Sequence, residues 1–460
     1  MRLTPAALPF ALAAALAMAA APSSAQDAPA PAAADAQDQA EPASGEDASS
    51  LPLAEIRRYV AVYNAIRQAY VDPVEDAELM QSAIRGLLLD LDPHSAYLDR
   101  RDAETFNERA TGAYDGIGVE LLRQPDKTLL IIAPIDDTPA ARAGIKAGDV
   151  VVAIDGKPVE DGSEASEPLR GPPGSKVVLT IRREGRPEPF DVTVVRDTIR
   201  VASVRGRMLE PGFGYLRVSV FQADTGSDFA SRVDRLKAEA GGKLRGLVID
   251  LRSNPGGLLT SAVQIADELL DRGTIVSTRG RLPVSDTRFS ATPGDRLDGA
   301  PVVVLVDAGS ASASEVLAGA LRDHGRARVV GSRTFGKGSV QTVLPLDNGD
   351  SVKLTTARYY TPDGTSIQAR GIEPDVLLRA ADGEGEDVAA GAIVREASLP
   401  RHLRGDAADA QQEAQAHAPG EVLEGEAPVA AALAELKAMA AGSRRPATQA
   451  TQGSQATARR

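Results

Sequence analysis

The run Val302-Val303-Val304-Leu305-Val306, bounded by Pro301 and Asp307, constrains the fold more than any other stretch of the chain. Five consecutive apolar residues between turn formers are too few for a buried helix and read as a buried strand. Small residues follow at once, then a helical pattern with Val316, Leu317, Ala320 and Leu321 on one face. The same alternation recurs over the surrounding sequence. Strand candidates at 214–220, 246–251, 302–306 and 328–330 alternate with helical stretches at 228–240, 258–270 and 314–323, the signature of a layered α/β domain over 198–380.

The texture upstream differs. Over 53–110 apolar residues recur at three and four (Ile56, Tyr59, Val60, Tyr63, Ile66; then Leu79, Ile84, Leu87, Leu88), which predicts amphipathic helices broken at Asp72-Pro73. From 111 to 197 short β-like runs at 118–122, 129–133, 150–154, 176–182 and 190–195 sit between Gly, Pro and Asp turns, a separate small β-rich domain inserted before the α/β core. Residues 1–25 combine Arg2, an Ala/Leu-rich stretch over 6–21 and small residues before Gln26, the pattern of a secretory signal peptide. An uncleaved membrane anchor is the alternative, and in a Gram-negative cell either one puts the body in the periplasm. The stretch 26–52 is an Ala, Pro, Asp, Gln and Ser tether expected to be disordered. The tail 381–460 is of low complexity, with one helix expected over 428–441 ahead of Gly442 and little structure elsewhere.

Composition excludes several chemistries. The chain of 460 residues has no cysteine, which removes disulfides, thiol nucleophiles and thiolate metal sites together. Four histidines (His94, His324, His402, His417) offer little for a metal centre. A formal charge of −13 argues against a dedicated nucleic-acid binder.

Three segments carry candidate chemistry. In Asp307-Ala308-Gly309-Ser310-Ala311-Ser312-Ala313-Ser314-Glu315 a strand-to-helix turn presents a hydroxyl at a helix N-terminus, where free N–H groups and the helix dipole stabilise developing negative charge. Ser312 and Glu315 also read as a capping box, and spacing alone does not choose among Ser310, Ser312 and Ser314. In Thr334-Phe335-Gly336-Lys337-Gly338-Ser339-Val340-Gln341 two glycines flank a lysine. A lysine acts as a base only when desolvation keeps it neutral. Lys337 and Gln341 fall on one face of an extended chain, so Gln341 could orient the amine without adding charge. An exposed turn lysine is the plainer reading. In 247–258 a strand runs into Asn254-Pro255-Gly256-Gly257, whose unhindered N–H groups suit an oxyanion site beside that of Ala313; an ordinary β-to-α turn is the alternative.

Together these segments resemble the C-terminal processing (tail-specific) peptidase family. The resemblance spans about 59–376 and includes Leu91-Asp92-Pro93-His94-Ser95, the β-rich insert, Arg358-Tyr359-Tyr360-Thr361-Pro362-Asp363-Gly364 and Gly371-Ile372-Glu373-Pro374-Asp375. It implies Ser312 as nucleophile, Lys337 as general base, Gln341 as the residue that orients the lysine, and a crotonase/Clp-like core. Tyr114-Asp115-Gly116-Ile117-Gly118-Val119 looks like the carboxylate-binding loop of a PDZ domain. Gly116, Ile117 and Gly118 would bind a chain-terminal carboxylate while the peptide adds as a strand beside Val119. A serine endopeptidase acting near the C-termini of unstructured polypeptides follows, with no cofactor or metal required. A regulatory or adaptor protein and self-association through the N-terminal helices are further expectations. A non-enzymatic PDZ peptide-binding scaffold is the rival from another class. His324 reads as a cap at a helix end and His94 as part of a structural turn.

Overall fold

The computed structural model describes residues 52–159, 166–379, 395–405 and 421–442. The expected leader and the tether up to residue 51 therefore lie outside the described residues. The chain divides after Pro73 into two units. In the first, helix α1 (Leu53–Ala69) has no buried residue and exposes Ile56, Tyr59 and Val60. Among the described residues no helix is long and apolar enough to cross a membrane.

The second unit begins with α2 (Asp76–Leu89), β1 (Ala96–Leu98) and α3 (Arg100–Thr111). Asp99 caps α3 by accepting from the Asp102 N–H, and Gly112 ends it at φ 71°, a left-handed conformation that glycine adopts without strain. The β-rich insert follows as β2 (Ala113–Gly116), β3 (Val119–Arg123), β4 (Leu129–Pro134), the short helix α4 (Pro139–Arg142), β5 (Val150–Ile154), β6 (Lys157–Pro158), β7 (Lys176–Arg182), β8 (Phe190–Val195) and β9 (Asp197–Arg200). β2 pairs antiparallel with β9, so the chain enters and leaves the insert side by side. The sheet order is β3-β4-β5-β7-β8, which leaves β3 at an edge. Ile117, Leu129, Ile131, Val151, Val177, Leu179 and Ile181 form its core.

The core domain contains β10 (Val204–Glu210), β11 (Phe213–Val218), α5 (Thr225–Glu239), β12 (Gly246–Asp250), α6 (Leu259–Asp267), β13 (Thr274–Gly280), β14 (Thr287–Ser290), β15 (Val302–Val306), α7 (Ala313–Asp323), β16 (Ala327–Gly331), β17 (Ser339–Pro345), β18 (Ser351–Tyr360), β19 (Val376–Leu377) and α8 (Ala427–Gly442). Its main sheet runs β10-β11-β12-β15-β16-β19, antiparallel at β10–β11 and parallel thereafter. A second sheet is ordered β1-β18-β13-β14, with β17 also paired to β18. The apolar run of β15 is explained by burial on both faces. Val302, Val304 and Val306 pack with Phe229, Ile265 and Leu317, while Val303 and Leu305 pack with Val429, Ala432 and Leu436 of α8.

The tail thus differs from the expectation of a single helix in otherwise unstructured sequence. The helix is present and completes the core, and 395–405 and 421–426 are ordered as well. The Ala308 N–H donates to the Glu421 carbonyl at 3.0 Å, the Leu423 N–H to Asp307 Oδ2 at 3.2 Å, and Arg252 Nη1 to the Leu423 carbonyl at 2.8 Å. Backbone hydrogen bonds and a few buried side chains hold these segments, and such bonds leave no periodic hydrophobic signal.

Candidate active site

Ser312 stands at the N-cap of α7 with φ 54° and ψ −111°. A left-handed φ at a non-glycine residue costs about 1–3 kcal/mol and persists only where neighbours over-determine it. They do so here: the Ala311 N–H donates to the Asn254 carbonyl at 2.9 Å and the Ser312 N–H to Glu315 Oε2 at 2.7 Å. The flanking serines are engaged in holding the turn. Ser310 Oγ donates to the Leu251 carbonyl at 2.8 Å and accepts from the Asp307 N–H, and Ser314 Oγ donates to the Asn254 carbonyl at 3.0 Å. Both are fully buried, whereas Ser312 retains 7% exposure. The Ser312 hydroxyl lies within hydrogen-bonding reach of the buried phenol of Tyr359, which burial pushes up to about 12.

The Gly256-Gly257 turn lies against this serine. A β-carbon on Gly256 would come within 2.9 Å of the Ser312 β-carbon, so only glycine allows the approach. The Gly256 N–H donates to Asn254 Oδ1 at 2.9 Å. Those of Gly257 and Ala313 have no acceptor among the described residues. Gly257 is held by a parallel bridge to Phe221, in which Phe221 bonds to the residues on either side of it.

Glu315 joins the serine turn to the lysine loop. Its Oε2 accepts from the N–H groups of Ser312 and Lys337 (2.7 and 2.9 Å), and its Oε1 from Thr334 Oγ1 and the Gly336 N–H (2.6 and 2.7 Å). Complete burial pushes this carboxyl up to about 7 against the pull of those four donors. Lys337 follows on the same loop. Burial first, and then the nearby Lys353 cation, lower its pKa from the usual lysine value, while Glu396, Glu315 and Asp92 oppose the shift. Among the described residues its ammonium forms no ion pair and no hydrogen bond to Ser312.

Gln341 lies on β17, where its Nε2 donates to Ser339 Oγ at 3.0 Å and to Thr355 Oγ1 at 3.4 Å. His94 belongs to a turn capped by Asp92, whose Oδ1 accepts from the N–H groups of His94 and Ser95; the ring Nε2 pairs with Glu396 Oε2 at 2.8 Å. His324 is the C-cap of α7 and its Nε2 pairs with the Thr274 carbonyl at 2.7 Å. In the insert, Gly116, Ile117, Gly118 and Val119 line a cavity of about 170 Å³ with Leu169 and Arg170. The carbonyls of Ile117 and Gly118 accept from Ala140 and Ile135, and their own N–H groups have no internal acceptor among the described residues. Arg170 at the rim also pairs with Glu108 of α3 at 2.6 Å.

The sequence marks Glu315 only as half of a capping box and Tyr359 only as part of a family motif, and gives no sign of Gln368 or Glu396. The Ser-x-x-Glu spacing was the one visible signal. The other contacts join residues far apart in the chain.

Comparison with known proteins identifies the family. The family model "Peptidase family S41" matches residues 212–378, a "PDZ domain" model matches 130–183, and an "Activating protease CtpB N-terminal domain" model matches 11–102. A carboxy-terminal-processing protease of Bartonella bacilliformis is 43% identical over 76% of this chain and 81% of its own length. The carboxy-terminal processing protease CtpA of Bacillus subtilis is 33% identical over 74% and 72%. Among solved structures, a photosystem II D1 C-terminal processing protease aligns over 70% of this chain and 92% of its own with 32% identity and a TM-score of 0.41. The chain belongs to the carboxy-terminal processing proteases of peptidase family S41 and is a serine-type peptidase with an inserted PDZ domain.

Proposed function

We propose that Ser312 and Lys337 form the catalytic dyad of an endopeptidase that cuts polypeptides near their C-termini. The observation that carries this reading is the Glu315 carboxylate, which ties the strained serine turn to a desolvated lysine lacking an ion-pair partner among the described residues. Neutral Lys337 Nζ takes the Ser312 Oγ proton as Oγ leaves Tyr359 and attacks the substrate carbonyl. The N–H groups of Ala313 and Gly257 receive the oxyanion, since that of Gly256 is engaged with Asn254. Lysinium then protonates the leaving amine. Water gives its proton to Nζ, attacks the acyl-serine, and Oγ recovers its proton. Gln341, with its amide nitrogen turned to Ser339 and Thr355, offers its carbonyl oxygen to the lysine amine.

The substrate C-terminus binds at Gly116, Ile117 and Gly118 and extends beside the edge strand β3 from Val119. This is supported by the N–H groups of Ile117 and Gly118, which have no internal acceptor among the described residues, and by the adjoining cavity of about 170 Å³. The leader-like 1–25 supports a location outside the cytoplasm, in a Gram-negative cell the periplasm, with the chain tethered if the leader is not cleaved. The exposed apolar residues of α1 support self-association, and the PDZ domain supports engagement by a regulatory or adaptor protein. Mass spectrometry of an unstructured protein incubated with parent, S312A and K337A enzyme tests the dyad. Fragments near the C-terminus should appear only with the parent, and undiminished cleavage by either variant refutes the assignment.

A further inference from the structure

The tail segment 395–405 closes around the lysine loop, and one of its carboxylates is fully buried. Glu396 has 0% exposure, and its N–H donates to the Phe335 carbonyl at 3.2 Å. Its Oε1 accepts from Gln368 Nε2 and its Oε2 pairs with His94 Nε2, both at 2.8 Å. Gln368 Oε1 in turn accepts from the Gly338 N–H at 3.0 Å, on the residue next to Lys337. His94 belongs to the turn built on Asp92, which accepts from Thr355 Oγ1 at 3.0 Å, and Thr355 accepts from Gln341. A closed ring results: Gly338, Gln368, Glu396, His94, Asp92, Thr355 and Gln341, with the chain between Gly338 and Gln341 completing it. Beside Glu396, Arg395 Nη2 donates to the Thr334 carbonyl at 3.1 Å.

We infer that Glu396 is a positioning residue for Lys337, holding the two flanks of the lysine loop together and supplying a fixed negative charge beside the amine. This rests on Lys337 being the general base. A carboxylate buried in such a ring costs desolvation energy that a neutral clamp would avoid, which fits a role for the charge itself. The charged groups acting on the amine are the Lys353 cation, which disfavours its protonation, and Glu396, Glu315 and Asp92, which favour it. Those facing Glu396 are His94 and the Lys337 amine, together with the neutral Gln368. The sign follows: removing the Glu396 charge makes the amine easier to deprotonate, so the acid limb of the activity profile moves to lower pH.

The test is the pH dependence of kcat/KM for a peptide substrate with the full-length parent, E396Q, H94Q and K337A. E396Q should lower kcat roughly tenfold with KM changed less than about twofold, and move the acid limb down by roughly half a pH unit or more. H94Q removes a ring that is 16% exposed at the margin of the cluster and should lower kcat by a smaller factor, again with KM retained. An unmoved limb in E396Q overturns the inference. If E396Q does not fold, parental kcat in H94Q overturns it. An active K337A instead refutes the dyad itself, so the two failures are distinguishable.

Discussion

The serine turn and the lysine loop meet at Glu315, yet they are held in different ways. The turn leaves β15 and enters α7, and its partners come from the neighbouring β12–α6 connection (Leu251, Ser253, Asn254), with Leu423 of the tail added at Asp307. The lysine loop takes its partners from several segments: the Phe335 N–H donates to the Ser310 carbonyl at 3.0 Å and the Gly338 carbonyl accepts from the Tyr359 N–H at 2.7 Å, and other partners lie farther along the chain. Thr334 accepts from Arg395, Phe335 from Glu396, and Gly338 donates to Gln368. A nucleophile can therefore be fixed by the regular α/β layer, whereas a desolvated base requires walls from several distant segments, because burial on all sides is what lowers its pKa.

The strongest way to break this pairing is Glu315→Gln. Each oxygen of Glu315 faces two donors, and at least one donor at each is a backbone N–H. Whichever way an amide is turned, its NH2 meets an N–H, leaving buried donors unpaired at about 1–3 kcal/mol each. Turnover should fall roughly a hundredfold through displacement of both loops, and the urea midpoint should drop; an E315Q enzyme with parental kcat would show that the Glu315 bridge is not what aligns the two loops, which are also joined by the Phe335 N–H to Ser310 carbonyl bond.

A smaller effect separates the serines of the turn. Ser310→Ala leaves the buried Asp307 N–H without its acceptor and should lower stability by about 1–3 kcal/mol, whereas Ser314→Ala removes one of two donors to the Asn254 carbonyl and should cost less. Turnover should stay within a few-fold of the parent. Loss of acyl-enzyme formation in either, with the fold intact by circular dichroism, would reassign the nucleophile.

The smallest effect sharpens the electrostatics of the lysine side. Lys353 depresses the Lys337 pKa, so Lys353→Gln should raise it and move the acid limb of kcat/KM to higher pH, opposite in sign to E396Q. A limb that stays in place would mean that burial alone governs the amine.

Much of the architecture was legible along the chain. The runs of β5, β7, β8 and β15 coincide with their expected spans, and α7 begins one residue before the expected helix. Hydrophobic periodicity reports such elements because their burial is a property of consecutive residues. The candidate chemistry was legible too, since small residues at a helix start and glycines around a lysine are local requirements. Which of the three hydroxyls keeps some exposure and meets the Tyr359 phenol, that Glu315 bridges two loops as well as capping a helix, and that 395–405 walls in the lysine were decided only by the tertiary structure. These are hydrogen bonds and desolvation between residues 19 to 302 positions apart, and they depend on the path of the folded chain, on which local sequence carries no signal.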